Sequence, residues 1–221
     1  MKYYVLLLFA SLILSSCGNR VPLDVNFYND KKIGVVLLVD SISRIKSGSQ
    51  GNLDKTISSG SKYKDALKLI GTKTYPKTSF LEITQRKFTE KKKPFLIIND
   101  YINFKSLQPF IKNDTVDKGR FFDKDLRPLK EKFNVDQFMI VKVKYGLNIN
   151  YYSMIETSKG GLTTIEVNIV DLKDNSLMFK DKINVYEVFT GKWNNPPHYN
   201  ELHDNINKSI ITALQYYESK F

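Results

Sequence analysis

Hydrophobic positions change period several times along this chain, and each change predicts an element. The first apolar run, Val5 to Leu14, follows a single cation at Lys2 and stops at Ser15-Ser16-Cys17-Gly18. It is too short to cross a membrane, which takes roughly 20 apolar residues, and has the layout of a secretory signal peptide. Residues 18–30 are polar, contain Pro22 and read with Cys17 as a tether over 17–30. Ile33 to Val39 is continuously apolar between Lys32 and Asp40. That pattern fits a strand buried on both faces, near the middle of a covered sheet. Residues 46–61 are rich in Gly, Ser and Asn and read as a loop or a weakly specified hairpin.

Two helices are expected next, over 62–70 before Gly71 and over 77–91 after Pro76, with Phe80, Leu81, Thr84 and Phe88 on one face of the second. Phe95 to Ile98 reads as another strand, residues 101–122 as irregular, and 123–133 as a helix capped by Asp123. Pro128 falls inside that helix, so it is either kinked or starts later. From Gln137 the period becomes two, with Met139, Val141, Val143, Tyr145, Leu147, Ile149 and Tyr151 on the apolar side. Gly160-Gly161 offers a turn, and Thr163 to Asp171 alternates again. Lys173 to Ser176 offers a second turn, and Leu177 to Val188 a third strand. This predicts a three-stranded antiparallel meander. Leu202, Ile206, Ile210 and Leu214 then mark an amphipathic helix over 199–219. The order β-α-α-β-α-β-β-β-α gives an α/β sandwich, with helices packed on a mixed sheet in a single domain over 31–221.

Composition adds bounds. With 42% hydrophobic and 26% charged residues, the 221-residue chain is ordinary for a globular protein, and aromatics at 13% favour a sheet. The net charge of +11 comes from scattered lysines, which fits a solvated basic surface attracted to anionic headgroups or acidic polymers. For an exported chain this points to no nucleic-acid partner.

Leu14-Ser15-Ser16-Cys17 resembles a lipobox, the processing site of bacterial lipoproteins. The resemblance implies that residues 1–16 are removed and that Cys17 carries two or three acyl chains. At about 0.8 kcal/mol per buried CH₂, two chains anchor stably. Cys17 is the only cysteine, so it has no intramolecular disulfide partner. Gly18-Asn19-Arg20 lacks an acidic run, which favours an outer-membrane lipoprotein facing the periplasm.

The segment 125–188 resembles a group of envelope lipoproteins: the curli-secretion lipoprotein, the lipoprotein activators of penicillin-binding proteins and the N-terminal domain of TolB. The matching phrases are Leu129 to Ile140 and Val167 to Leu177, with Ile33 to Val39 as the early strand. Where that group often has a glycine in the first meander strand, this chain has Lys142-Val143-Lys144 before Gly146. No long amphipathic hairpin suited to crossing a membrane stands out. The resemblance implies binding or assembly with an envelope protein, without catalysis.

Candidate chemistry is sparse. His198 and His203 are five apart, not the i, i+4 spacing that converges on a metal, and no metal or cofactor is expected. No nucleophile elbow, phosphate loop or zinc-protease signature occurs. Asp40, Asp100 and Asp136 sit at strand ends and read as turn formers. A small carboxylate-dependent envelope hydrolase is the alternative, and it requires two or more of them in one pocket. Asp40-Ser41-Ile42 and Asp114-Thr115-Val116 match a short bacterial O-glycosylation acceptor pattern. Thr190 to Tyr199 holds the only Trp and two prolines, and Trp193 with Tyr199 is the candidate binding element. Alternatively, Trp193 folds back over the sheet edge.

Overall fold

The structure is a computed structural model that describes residues 20–49, 63–71, 73–110, 119–193 and 195–221. The signal segment, Cys17 and Asp114 to Val116 lie outside the described residues. Six strands form one mixed sheet: β1 (Ile33–Val39), β2 (Ser43–Ser49), β3 (Phe95–Ile97), β4 (Gln137–Tyr152), β5 (Ile155–Asp171) and β6 (Leu177–Val188). Among the described residues, four helices pack on it: α1 (Lys64–Gly71), α2 (Lys77–Glu90), α3 (Leu129–Phe133) and α4 (Asn200–Glu218). The strand order is β3-β1-β4-β5-β6, with β2 also on β4. β1 runs parallel to β3 and β4, and β4-β5-β6 is the expected antiparallel meander. The α/β class with a C-terminal amphipathic helix is thus observed.

The β4–β5 hairpin, with strands of 16 and 17 residues, is the backbone of the fold. Its alternation places Met139, Val141 and Val143, with Ile165, Val167 and Ile169, under α2 and α4 beside Phe80, Phe88, Ala213 and Tyr217. Further along β4, Tyr145, Leu147, Ile149 and Tyr151 meet Ile70 of α1 and Leu202 and Ile206 of α4. Phe138 and Ile140 face the other way and pack on Leu126, Leu129 and Val36. Val35 and Val36 of β1 thus fall in different layers, as a doubly covered strand requires. Each fully buried large side chain contributes about 1.5–3 kcal/mol.

Four expectations are corrected. Ser43 to Ser49 is a strand where a loop or a weakly specified hairpin was expected from 46 onward; it pairs in parallel with Gly146 to Tyr152 and continues the line of β1. Four residue steps from Val39 to Ser43 match three from Val143 to Gly146, so one extra residue is inserted as a bulge. Gly146 accommodates it at φ +146, where an added Cβ would lie 2.0 Å from Ser43 O. Gly160-Gly161 is not a turn but lies inside β5, while the reversal falls at Ser153-Met154. The glycine pair is a seat, since a Cβ on Gly161 would stand 2.5 Å from Asn205 O of α4. Of the two alternatives left by Pro128, the helix starts later, and what is corrected is its cap: Pro128, not Asp123, holds the N-cap position.

The fourth correction concerns the tether. Val21 exchanges backbone hydrogen bonds with Lys180 at 2.9 and 3.0 Å, and Asp24 N–H donates to Met178 O at 3.0 Å. Phe27 is fully buried, and the Tyr28 hydroxyl donates to Phe221 O at 2.9 Å. Residues 20–30 are part of the domain surface because one aromatic pays its way into the core.

Candidate functional site

The loop between β6 and α4 carries the candidate binding residues Trp193 and Tyr199. Phe189 N–H donates to Lys159 O at 3.0 Å, extending the β5–β6 pairing one residue past the strand. Gly191 then turns the chain at φ +112, and Trp193 N–H returns to Gly191 O at 3.1 Å. The Trp193 ring stacks on Phe189 with centroids 4.8 Å apart and planes 6° apart, and meets Tyr63 at 5.0 Å. Lys159 Nζ stands 5.9 Å from its centroid. Trp193 is only 9% exposed and joins the cluster of Leu202 and Ile206. Trp193 is thus folded back onto Phe189 at the end of β6, and it also lines the cleft of this loop. Trp193 fastens the loop.

Beyond Trp193 the chain passes through a cis Pro196–Pro197 peptide to Tyr199, which has φ +49 and whose N–H donates to Asn195 O at 3.0 Å. α4 begins at Asn200. Pro196, Pro197 and His198 are exposed and Tyr199 half-buried. The loop and the first turn of α4 enclose an open cleft of about 290 Å³, lined among others by Lys192, Trp193, Asn195, His198, Tyr199 and Glu201. That is near the lower limit of small-molecule sites, roughly 300 Å³. A cation, a carboxylate, an imidazole and amides surround aromatic carbon. The cleft therefore offers hydrogen-bond donors and acceptors together with an apolar wall, which suits a polar ligand with one apolar face.

Other sequence candidates do not converge. Asp136 N–H donates to Lys32 O at the start of β1, and Asp40 N–H donates to Val143 O past its end. At 3.3 Å per residue that separates the two by about 25 Å. Asp100 is exposed beyond β3, whose last residue is in register with Val35. Asp40 stands 4.0 Å from Lys144, and Asp136 lies 3.2 Å from Lys130. These are solvated surface pairs of small energetic weight. Asp40 and Asp136 thus stand at opposite ends of β1 and form no acid pair. His203 Nδ1 lies 3.4 Å from Asp204 and its Nε2 3.1 Å from Asn207 Nδ2, while His198 is exposed on the loop. Among the described residues, no group of three or more His, Cys, Asp or Glu could hold a metal, and no helix is long and apolar enough to cross a membrane.

Sequence reasoning missed two things here. Lys192 and Glu201, nine residues apart, line one cleft from the two ends of the loop, and the Trp193 ring stacks back on Phe189 across the turn at Gly191. The Gly191 and double-proline signals were visible, but not the pairing they produce.

No protein-family model and no curated protein matches the chain. Several solved structures do match over most of its length. Lipoprotein GNA1162 from Neisseria meningitidis is 10% identical over 82% of this chain and 99% of that one, with a TM-score of 0.33. Protein CT253 from Chlamydia trachomatis is 9% identical over 86% and 98%, at 0.34. A Helicobacter pylori protein described as a homolog of the neuraminyllactose-binding hemagglutinin is 10% identical over 92% and 89%, at 0.37. At TM-scores below 0.5 these likenesses carry no functional argument.

Proposed function

We propose that the protein is a lipid-anchored, non-enzymatic binding module of the bacterial envelope. Residues 1–16 are its signal peptide, Cys17 bears the lipid at the outer membrane, and the domain faces the periplasm. It engages an envelope protein or polymer through the loop from Lys192 to Glu201. The observation that carries the binding reading is the cleft itself: about 290 Å³, polar in its rim, and held by a Trp193 that is fixed in the core. A loop stapled in this way loses little conformational entropy on binding, which is what preorganisation contributes to affinity. Tyr199 is the half-buried aromatic that the ligand would touch, and Trp193 contributes the edge left at the cleft. The anchor reading is supported by the lipobox-like Leu14 to Cys17 and by the absence of any other cysteine.

Site-specific crosslinking tests the binding reading. A photoreactive residue replaces His198 in the full chain in cells, with Lys105 as the comparison position on the opposite side of the sheet. A discrete adduct at 198 that Lys192→Glu removes supports the cleft. Equal adducts at both positions, or none at 198, overturn it.

A further inference from the structure

The docked N-terminal segment also determines how the domain stands on its anchor. Arg20 Nε lies 3.1 Å from Asp181 Oδ1, one residue before the Val21–Lys180 backbone pair, so Arg20 belongs to the rim of the edge strand β6. Three residue steps separate Arg20 from Cys17, which is at most about 11 Å of extended chain. A lipid on Cys17 therefore holds the bilayer surface against this rim, leaving too little chain for the domain to turn another edge toward it.

We propose that the rim of β6 around Asp181 is the membrane-facing surface of the domain, seated on anionic phospholipid headgroups. The proposal rests on the acylation of Cys17. The rim has the charge that such a seat needs. Phe179, Asp181 and Val185 face α4, so Lys180 and Lys182 project from the opposite side of the strand. On the helix side stand Arg20 and Lys220, the latter 3.7 Å from Asp181 and 4.2 Å from the Tyr216 ring centroid. Asp181 is buried, with its side chain 8% exposed, and accepts from the Tyr216 hydroxyl at 2.6 Å and from Lys182 N–H at 2.8 Å. It is consumed inside the rim. Glu166, opposite Lys182 on β5, lies 3.7 Å from Lys142 on the next strand. Cations thus flank both sides of one edge, which suits an edge-on contact, whereas a face-on contact would gather them on one face. Long lysine stems let the ammonium groups reach headgroups while the strand stays above them. Near an anionic surface each cation is worth about fivefold in binding.

The test uses the full acylated chain, with acylation of Cys17 read from its intact mass. Lysine acetylation by a water-soluble reagent is followed peptide by peptide on vesicles of phosphatidylethanolamine and phosphatidylglycerol. The same measurement is made on the unacylated Cys17→Ser chain in solution. Lys180, Lys182 and Lys220 are expected to react several-fold more slowly on the vesicles, and Lys68 of α1 and Lys130 of α3 at unchanged rates. In a second arm, the Cys17→Ser chain is sedimented with the same vesicles at low salt. Lys180→Gln/Lys182→Gln is expected to weaken binding by up to about 25-fold, and Lys142→Gln/Lys144→Gln to do much less. If Cys17 carries no acyl chain, the anchor reading falls and this proposal with it. If Cys17 is acylated but protection is uniform, or both double variants weaken binding equally, the orientation is overturned while the anchor stands. Protection of the rim that appears without lipid and grows with protein concentration assigns it to a second copy of the chain and also overturns the proposal.

Discussion

Lys93 gives the fold a pH dependence of definite sign. The residue is 2% exposed, with Nζ 4.9 Å from the Phe27 ring centroid and donating to Asn29 O at 3.3 Å and Asn29 Oδ1 at 3.2 Å. Burial pushes its pKa from 10.5 down to about 8; Lys31 adds repulsion, and Asp136 and Asp30 pull the other way. Between about pH 8 and 10.5 the unfolded chain therefore holds a proton that the folded one has released, and stability rises with pH across that window. A shift of this size corresponds to about 3 kcal/mol, most of it gained between pH 7 and 10. The perturbation is Lys93→Met, which keeps an unbranched stem over Phe27 and removes the charge. Asn29 Oδ1 still accepts Lys31 N–H at 3.1 Å, so the turn keeps a partner. Urea denaturation of the unacylated domain at pH 7, 8, 9 and 10 measures both chains. The stability of the wild type relative to the variant should improve by about 2–3 kcal/mol from pH 7 to 10. A difference that stays constant across the series would show that Lys93 titrates normally and refute the reasoning.

Three further substitutions probe the elements that sequence periodicity could not place. Gly161→Ala drives a methyl group against the α4 backbone at Asn205 and Ile206, and should cost about 3 kcal/mol in chemical denaturation. Asn175 sits at φ +68, accepts Leu126 N–H at 2.9 Å and donates to Phe122 O and Lys124 O at 3.0 Å each. Asn175→Ala should lose about 3 kcal/mol by the same measurement, and Asn175→Asp at least as much at pH 7, since it keeps the acceptor but turns a buried, charged oxygen toward the Phe122 and Lys124 carbonyls. Trp193→Ala should destabilise by about 3 kcal/mol, because the ring belongs to the core. A loss below about 0.5 kcal/mol, the scale of surface substitutions, would mean that Trp193 does not staple the loop.

The elements that were legible are those whose own side chains carry the burial. β1 is apolar on both faces because both faces are covered, and β4, β5 and β6 alternate because one face lies under α2 and α4. The final helix declares itself through Leu202, Ile206 and Ile210. β2 was illegible because SRIKSGS has no strand pattern of its own; it is a strand because the upper half of β4 needs a backbone partner once β1 has ended. Gly160-Gly161 misleads for the opposite reason. A missing Cβ serves a turn and a close helix approach equally well, and only the position of α4 distinguishes them. The candidate cleft was legible as a loop with chemistry in it, but its shape depends on a reversal and a ring stack that no periodicity records.

Residues 20–30 and the loop after β6 share one physical lesson. Each is polar, turn-rich and without period, and each is fixed to the domain by a single buried aromatic, Phe27 in one and Trp193 in the other. A ring that buries on the order of 2–3 kcal/mol of apolar surface outweighs the ordering entropy of one or two loop residues, at about 1–2 kcal/mol each. Neighbouring hydrogen bonds, such as Val21 to Lys180 and Phe189 to Lys159, then hold the remaining backbone. Because β6 carries both attachments, Arg20 opposite Asp181 and the loop from Phe189 onward, the strand sets the spacing between them. Eight residues at about 3.3 Å make that spacing about 26 Å. Under the proposed function, an anchor at Cys17 and a cleft in the loop after β6 would both be referred to this one strand, and the cleft would stand at a set distance from the docked segment. A long flexible tether would have left that distance to chance.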